Sequence, residues 1–573
     1  MMPQNEGKKR SWRFEWVGVG AMAAAALVLR LAGIWWGLPN SQHYFSYHPD
    51  EIFLLMPSFG FAQGDWNPHF FNYGTLYIYL VGIPAVIFGI VPDSVPFPQG
   101  LAPLYLTGRI LAALLGTATV PLLYLALRRE GRSLALGSAL LLTICPLHVI
   151  NSHYATVDVP ATFFLVVAFL FALRGAERPT LRHAIVTGLF VGLAAATKYN
   201  AGLFLLPALL APVLVGQERV SCPGLRKRKL GGPSWWLGLP AGALVAFLVC
   251  NPWIGTPEFR QGFLFEWRHA QAGGTFAFVG TGSGWSYHLL HGLPVALGYP
   301  LLAAVIIGFV LAFRSKSPAF RLSLVWCLFY FAIIGFGKER FIRYLVPMMP
   351  FVCVLAASLW VSRLDGGPEW RQRRGPCVLA AAVLGLTGLY SLGQLIPLLR
   401  LDPRDASWVS VQTLFAARAD ASDAFDVRLV SMAPGWRQLA TSRPRARIGL
   451  VSVPWYYDPP VSPYNAGAFS QPMFEQWNRE TGSRIAITGW EVDRLRQALP
   501  VVFLISDLEV ADLQRLGRAD VSEFLATLDA TYGRAAYKVG RRPFSWLAPP
   551  RDRQPPDWLY TVPQVTMYYG ARR

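Results

Sequence analysis

The sequence predicts an all-α multi-pass membrane protein of about 11 transmembrane helices, followed by a C-terminal extracytoplasmic α/β domain. Three observations predict it. Of 573 residues, 53% are hydrophobic and only 15% charged, whereas soluble domains average about 25% charged. Many separate apolar runs approach the roughly 20 residues that cross a bilayer, a pattern that one large soluble core would not produce. After Pro397 the character changes: Arg and Asp become frequent and the apolar runs shorten to strand length.

A net charge of +19 would ordinarily suit nucleic acid, but Lys and Arg fall mainly in short hops between apolar runs, where they set orientation in a membrane. Lys8, Lys9, Arg10 and Arg13 precede the first run, 16–36, so residues 1–15 are expected as a cytoplasmic tail. No small-residue cleavage pattern closes that run, which reads as a retained signal anchor. Residues 16–397 are expected as the membrane domain, with a first outer loop at 37–104.

Basic hops at 128–132, 174–183, 224–229, 314–321 and 363–374, all placed inside, put further crossings near 105–127, 134–150, 159–173, 184–197, 200–215, 235–254, 289–313, 321–337, 341–361 and 377–397. The run "TLYIYLVGIPAVIFGIV" at 75–91 would invert this order if it crossed. It is therefore read as a helix at the outer interface, where Tyr77 and Tyr79 are at home. An odd number of crossings places residues 398–573 outside. There "VRLVSMA", "ARIGLVSV" and "PVVFLISD" read as strands, and "EVDRLRQAL" and "EVADLQRLG" as amphipathic helices. No cysteine follows Cys377, so no disulfide forms within the outer domain.

With this orientation the ionisable residues near the membrane gather on one side. "YFSYHPDEIF" supplies His48, Asp50 and Glu51, and "NSHYATVDVP" supplies His153 and Asp158. "TKYN" sets Lys198 in an otherwise apolar stretch. "FEWRHAQAGG" brings Glu266, Arg268 and His269, and "GKERFIRY" brings Lys338, Glu339, Arg340 and Arg343. Ionisable groups at membrane depth are costly and mark function. Each has a plainer role open to it: Asp50 or Asp158 as a helix N-cap, Lys198 as a snorkelling side chain, and the "KERFIRY" cations as headgroup ligands. His69 and His153 suit structural hydrogen bonds, and no spacing makes a closed metal site. Together, however, carboxylates facing cations suit one reaction. A carboxylate takes the proton of an attacking hydroxyl while cations stabilise a departing phosphate. Such a leaving group needs no second acid, unlike glycoside hydrolysis.

The chain resembles the phospholipid-carrier-dependent glycosyltransferases of the protein O-mannosyltransferase and aminoarabinose-transferase type, within the GT-C class. The resemblance rests on "HPDE", "GRILAALLGTATVPLLYLALRR", "HYATVDVPATFF", "GLFVGLAAATKYN", "RFIRYLVPMMP" and "DPRDASWVSVQ", in family order over roughly residues 15–410. It implies inverting transfer of a single sugar from a polyprenyl-phosphate donor to a hydroxyl acceptor, on a protein or a glycolipid, at the outer face. It makes Asp50 the base, with Glu51 beside it and Asp158 as a further acidic site residue. Family members often carry a cation before the interfacial helix. Here that place reads "FNYGTLY", so the donor phosphate is expected to meet Lys198, Arg340 and Arg343 instead. His48, His153, Glu266, His269 and Lys338 are candidates for substrate contacts. No cofactor is established by the sequence, although some members of the class use a divalent metal. The competing reading from another class is a transporter or flippase for a lipid-linked anionic substrate, which would place charges near the midplane and show two related halves. A non-catalytic scaffold is the third.

Overall fold

A computed structural model describes residues 3–91, 101–216, 232–273, 276–315, 317–364, 374–420, 447–462, 471–540 and 542–571. The side chains of Lys8, Lys9, Arg10 and Arg13, the basic hop at 224–229, most of that at 363–374 and the "VRLVSMA" segment lie outside the described residues.

The membrane part is helical. Among the described residues, seven helices are long and apolar enough to cross a bilayer, including Leu101–Leu127, Asp158–Glu177, Pro233–Cys250 and Pro318–Gly335. The expected count of eleven is not confirmed among the described residues, where several expected crossings are helices shorter than a full span. The run at 134–150 divides into Arg132–Thr143 and Pro146–Asn151, because Pro146 cannot continue the preceding ladder and Cys145 turns extended before it. At Lys198 the chain again goes extended. Helix Leu181–Thr197 then gives way to a 3₁₀ turn, Tyr199–Phe204, and helix Leu205–Gly216.

Helix Leu76–Ile87 has 12 residues, about 18 Å at 1.5 Å per residue, well short of the roughly 30 Å of a hydrocarbon core. Its length fits the interfacial placement expected for 75–91. Close helix crossings rely on small residues. A Cβ on Gly188 would stand 2.0 Å from the Leu239 carbonyl oxygen, and one on Gly308 would stand 2.0 Å from that of Leu355. Backbone-to-backbone approach of this kind is how helices associate in lipid, where burial of apolar surface gives little drive.

The C-terminal region holds a five-stranded sheet: β1 (Ile448–Leu450), β2 (Ile485–Ile487), β3 (Val502–Ser506), β4 (Tyr532–Lys538) and β5 (Gln564–Ala571), in the order β2-β1-β3-β5-β4. β1 lies parallel to β2 and β3, whereas β5 runs antiparallel to β3 and β4. All five residues of β3 are buried, as befits a central strand covered on both faces. Val502 and Leu504 pack with Val411 and Phe474 on one face, and Phe503 and Ile505 pack with Phe524 and Leu528 on the other. This alternation is the two-residue period of a strand. The expected strands within "ARIGLVSV" and "PVVFLISD" are β1 and β3, and the two amphipathic stretches contribute helices Val492–Ala498 and Asp507–Arg515.

Segments following the last membrane helix seal onto the first loop. Buried Arg404 grips Asp402 through two bonds of 2.7 and 2.6 Å and donates to the carbonyls of Tyr456 (2.8 Å) and Tyr560 (3.0 Å). Its guanidinium lies 3.7 Å from the centre of the Tyr47 ring. Tyr47 donates to Asp405, and Trp36 to Asp402. This planar stacked and bidentate arrangement suits Arg rather than Lys.

Candidate active site

The dipeptide Asp50-Glu51 opens the short helix Glu51–Leu55, and its two carboxylates part company there. Glu51 points inward and is fully buried. Arg109 donates to it twice at 2.7 Å, Ser46 once at 2.6 Å, and the Ala155 amide once at 2.7 Å. Burial works against its charge, but the Arg109 guanidinium overrides that cost and holds the carboxyl below its usual range. Arg109 also donates to the carbonyls of Ile34 (2.8 Å) and Trp36 (2.6 Å). The pair thus ties the first loop, helix Leu101–Leu127 and the 152–157 turn into one unit.

Asp50 stands one residue away and stays accessible, with 23% of its side chain exposed and an ion pair of 3.0 Å to Arg343. It precedes the helix but makes no side-chain cap bond. Arg343 is the second residue of the 3₁₀ turn Ile342–Met348, and its Nη1 is buried with no hydrogen-bond partner among the described residues. Asp557 accepts the backbone N–H groups of Ile342 (3.1 Å) and Arg343 (3.2 Å), fixing this turn from the C-terminal side. Burial raises the Asp557 carboxyl to about 6, with Arg343 opposing.

Asp158 and Lys198 meet at 2.5 Å, both almost fully buried. Asp158 is the first residue of its helix rather than the cap, and Lys198 closes Leu181–Thr197 at the chain break. The ammonium lies 4.9 Å from the Tyr344 ring centre, and Arg343 lies over Tyr344 at 5.8 Å. Tyr344 thereby bridges the two ion pairs. Glu266, on helix Pro257–Ala272, faces the same space. Burial raises its carboxyl, and Lys198, His269 and Arg343 pull it back down. Where the family cation is missing, Tyr73 stands instead; burial and then the Asp50 charge push its phenol well up.

Of the other expected residues, His48 adjoins the acidic pair, accepting the Asp50 backbone N–H at Nδ1 (3.4 Å), and the rest make contacts of their own. Arg340 donates to Phe278 and Thr281 and stacks over Tyr287 at 5.9 Å, on the side of the 276–287 segment. Lys338 is exposed, its backbone N–H on the Ala270 carbonyl, and His269 lies 4.0 Å from Glu339. Both ring nitrogens of His153 sit at carbonyls, Val149 at 2.9 Å and Ala32 at 3.0 Å. His48 packs against Tyr154 at 4.3 Å and edge-on to Tyr560 at 5.5 Å, and burial lowers its pKa.

Arg109, Tyr344, Tyr73 and Asp557 were not among the expected site residues. Arg109 carried a signal, being a lone charge inside an apolar helix, and it sits within a stretch that already bore the family resemblance. Asp557 carried none: its role depends on a contact 215 positions away in the chain. Among the described residues no group of three or more His, Cys, Asp or Glu side chains comes together for a metal ion.

This geometry sits within a chain that resembles known sugar transferases at two places. A model of the dolichyl-phosphate-mannose-protein mannosyltransferases matches residues 105–254, and one of the Alg9-like mannosyltransferase family matches residues 277–395. Both models describe mannosyltransferases. The first match holds Arg109, Asp158 and Lys198; the second holds Arg340 and Arg343. The resemblance read from the sequence is thus met by two separate matches. No curated protein matches the chain.

Among solved structures the chain is similar to the oligosaccharyltransferase of Archaeoglobus fulgidus (13% identity, TM-score 0.47, 91% of this chain and 73% of that one). It is also similar to ArnT from Cupriavidus metallidurans bound to undecaprenyl phosphate (16%, 0.45, 94% and 99%). The Pmt1–Pmt2 complex of S. cerevisiae bound to its sugar donor is similar over a smaller part (21%, 0.32, 43% and 34%).

Proposed function

We propose that the protein transfers one sugar, with inversion, from a polyprenyl-phosphate donor to an acceptor hydroxyl at the outer face of the membrane. The observation that carries this reading is the half-open Asp50–Arg343 pair standing beside the sealed Lys198–Asp158 pair. In the resting site Arg343 holds Asp50. When the donor enters, its phosphate takes the Arg343 guanidinium, whose Nη1 has an unused N–H, and Asp50 is released toward the acceptor. The acceptor oxygen bonds to the anomeric carbon as the bond from that carbon to the phosphate oxygen breaks. The hydroxyl proton passes to Asp50 and the polyprenyl phosphate leaves as an anion.

Arg343 and Lys198 supply the positive field, with Tyr73 as a neutral donor in the place of the missing cation. Asp158 aims Lys198, and Glu51 is a positioning residue that holds Asp50 through the Arg109 clamp. Glu266 faces the same space as a substrate contact. The two expected domains, 16–397 and 398–573, then divide the work into donor chemistry and acceptor selection.

The test is sugar transfer by the purified protein in nanodiscs, with a polyprenyl-phosphate-linked sugar as donor. Transfer by the native protein and its loss in Asp50→Asn support the reading. Full turnover by Asp50→Asn removes Asp50 from the base role. Movement of the intact lipid-linked substrate across the bilayer, without transfer, favours a flippase.

A further inference from the structure

A groove of about 1340 Å³ runs between the 277–291 segment and the outer sheet, and the reaction above does not use it. Strand alternation builds its floor: Gln564, Thr566 and Tyr568 of β5 share one face, and Thr566 stands opposite Ile505 of β3. Arg515 closes one end by donating to the carbonyls of Ala277 (2.9 Å) and Val279. Near the other wall, Pro556 and Leu559 line the groove on either side of Asp557, the residue that fixes the Arg343 turn. Tyr287, also in the lining, sits under Arg340. The groove therefore reaches the back of the turn that carries the proposed phosphate ligand.

Its chemistry is polar but balanced. Four arginines and four aspartates line it, and three couples are already joined: Arg551–Asp507 at 2.6 Å, Arg534–Asp529 at 3.1 Å and Arg515–Asp512 at 3.3 Å. A matched set offers no net field for an anionic ligand. It does present fixed planar donors and acceptors, with the amides of Gln514 and Gln564 and the rings of Tyr287 and Tyr568 alongside. Such a surface matches a molecule of many hydroxyls and no charge. We propose that this groove binds a neutral, hydroxyl-rich saccharide carried by the acceptor. The proposal rests on the transferase reading for the word acceptor, but not for the binding itself.

The test is saturation-transfer NMR of maltohexaose with the full-length protein in nanodiscs, alongside a sulfated hexasaccharide. Saccharide signals that persist in Asp50→Asn, vanish in the groove-filling Thr566→Trp and weaken about fivefold in Gln514→Ala, one hydrogen bond's worth, support the groove. Gln514 is exposed, so that variant keeps the test open if Thr566→Trp misfolds. No saccharide signal, signals unchanged in Gln514→Ala, or tighter binding of the sulfated sugar overturns it. Failure of sugar transfer with saccharide binding intact would count against the transferase reading and leave the groove standing.

Discussion

Glu51 and Asp50 are neighbours in sequence with the same chemical group and each faces an arginine, yet they live in opposite surroundings. Glu51 is shut from solvent with four hydrogen bonds, whereas Asp50 keeps 23% exposure and one ion pair at 3.0 Å. A carboxylate whose every lone pair is filled has nowhere to receive a proton. One that is held by a single displaceable cation can exchange that partner for a substrate. In the proposed reaction the acidic pair then divides into one structural residue, Glu51, and one reactive residue, Asp50, at the start of helix Glu51–Leu55.

The largest expected effect breaks the sealed member. Glu51→Gln leaves Arg109 buried without a counter-charge, which costs about 3–5 kcal/mol, and thermal unfolding in detergent should show it as a large drop in Tm. Asp50→Asn should move Tm far less. Equal drops would erase the contrast between the two carboxylates.

Next in size is the open member's partner. Arg343→Gln removes charge-assisted hydrogen bonds worth about 1.5–3 kcal/mol, so the KM for the lipid-phosphate donor should rise about 10- to 100-fold. An unchanged donor KM would place the phosphate elsewhere.

A smaller effect comes from buried acids in the C-terminal region. Burial lifts Glu509 to about 7 and Asp557 to about 6, and it raises Asp458, which faces Glu509. Each group holds its proton more tightly folded than unfolded. Their contribution to stability is therefore full below the ordinary carboxyl range, near 4, and is lost as pH rises through about 6 to 7. Thermal unfolding should show the C-terminal region less stable at pH 8 than at pH 5, and Glu509→Gln should flatten that slope. A slope of opposite sign would contradict the buried placement.

The smallest effect is at the loop's edge. Exposed His69 lies between Asp65 at 2.9 Å and Glu258 at 3.1 Å. The Asp65 hydrogen bond and then Glu258 raise its pKa. Glu258→Gln should lower the His69 titration midpoint by NMR, by an amount that shrinks in high salt, with no change in Tm.

Much of this was legible in the sequence, and for identifiable reasons. Apolar runs near 105–127, 159–173 and 321–337 announced their helices because hydrophobicity in lipid is nearly the whole signal. "HPDE", "TKYN" and "RFIRY" stood out because charge beside a membrane is costly. The divided run at Cys145 was less legible, since hydropathy averages over a break, whereas the break at Lys198 fell between the two crossings expected at 184–197 and 200–215. The roles within the site were not legible either. Asp50 and Glu51 differ only in which long-range partner each meets, Arg343 or Arg109, and no local pattern encodes a contact across tens to hundreds of residues. The hold of the C-terminal region on the site, through Asp557 and Arg404, lay beyond sequence reading for the same reason.

One measurement bears most directly on the division between the two carboxylates: kcat for sugar transfer by purified, folded Asp50→Asn at saturating donor. Loss of a general base predicts a fall of about 10²–10⁴-fold, with donor binding retained because Arg343 and Lys198 remain. A kcat within about twofold of the native protein would contradict the assignment of Asp50 as the reactive member of the pair.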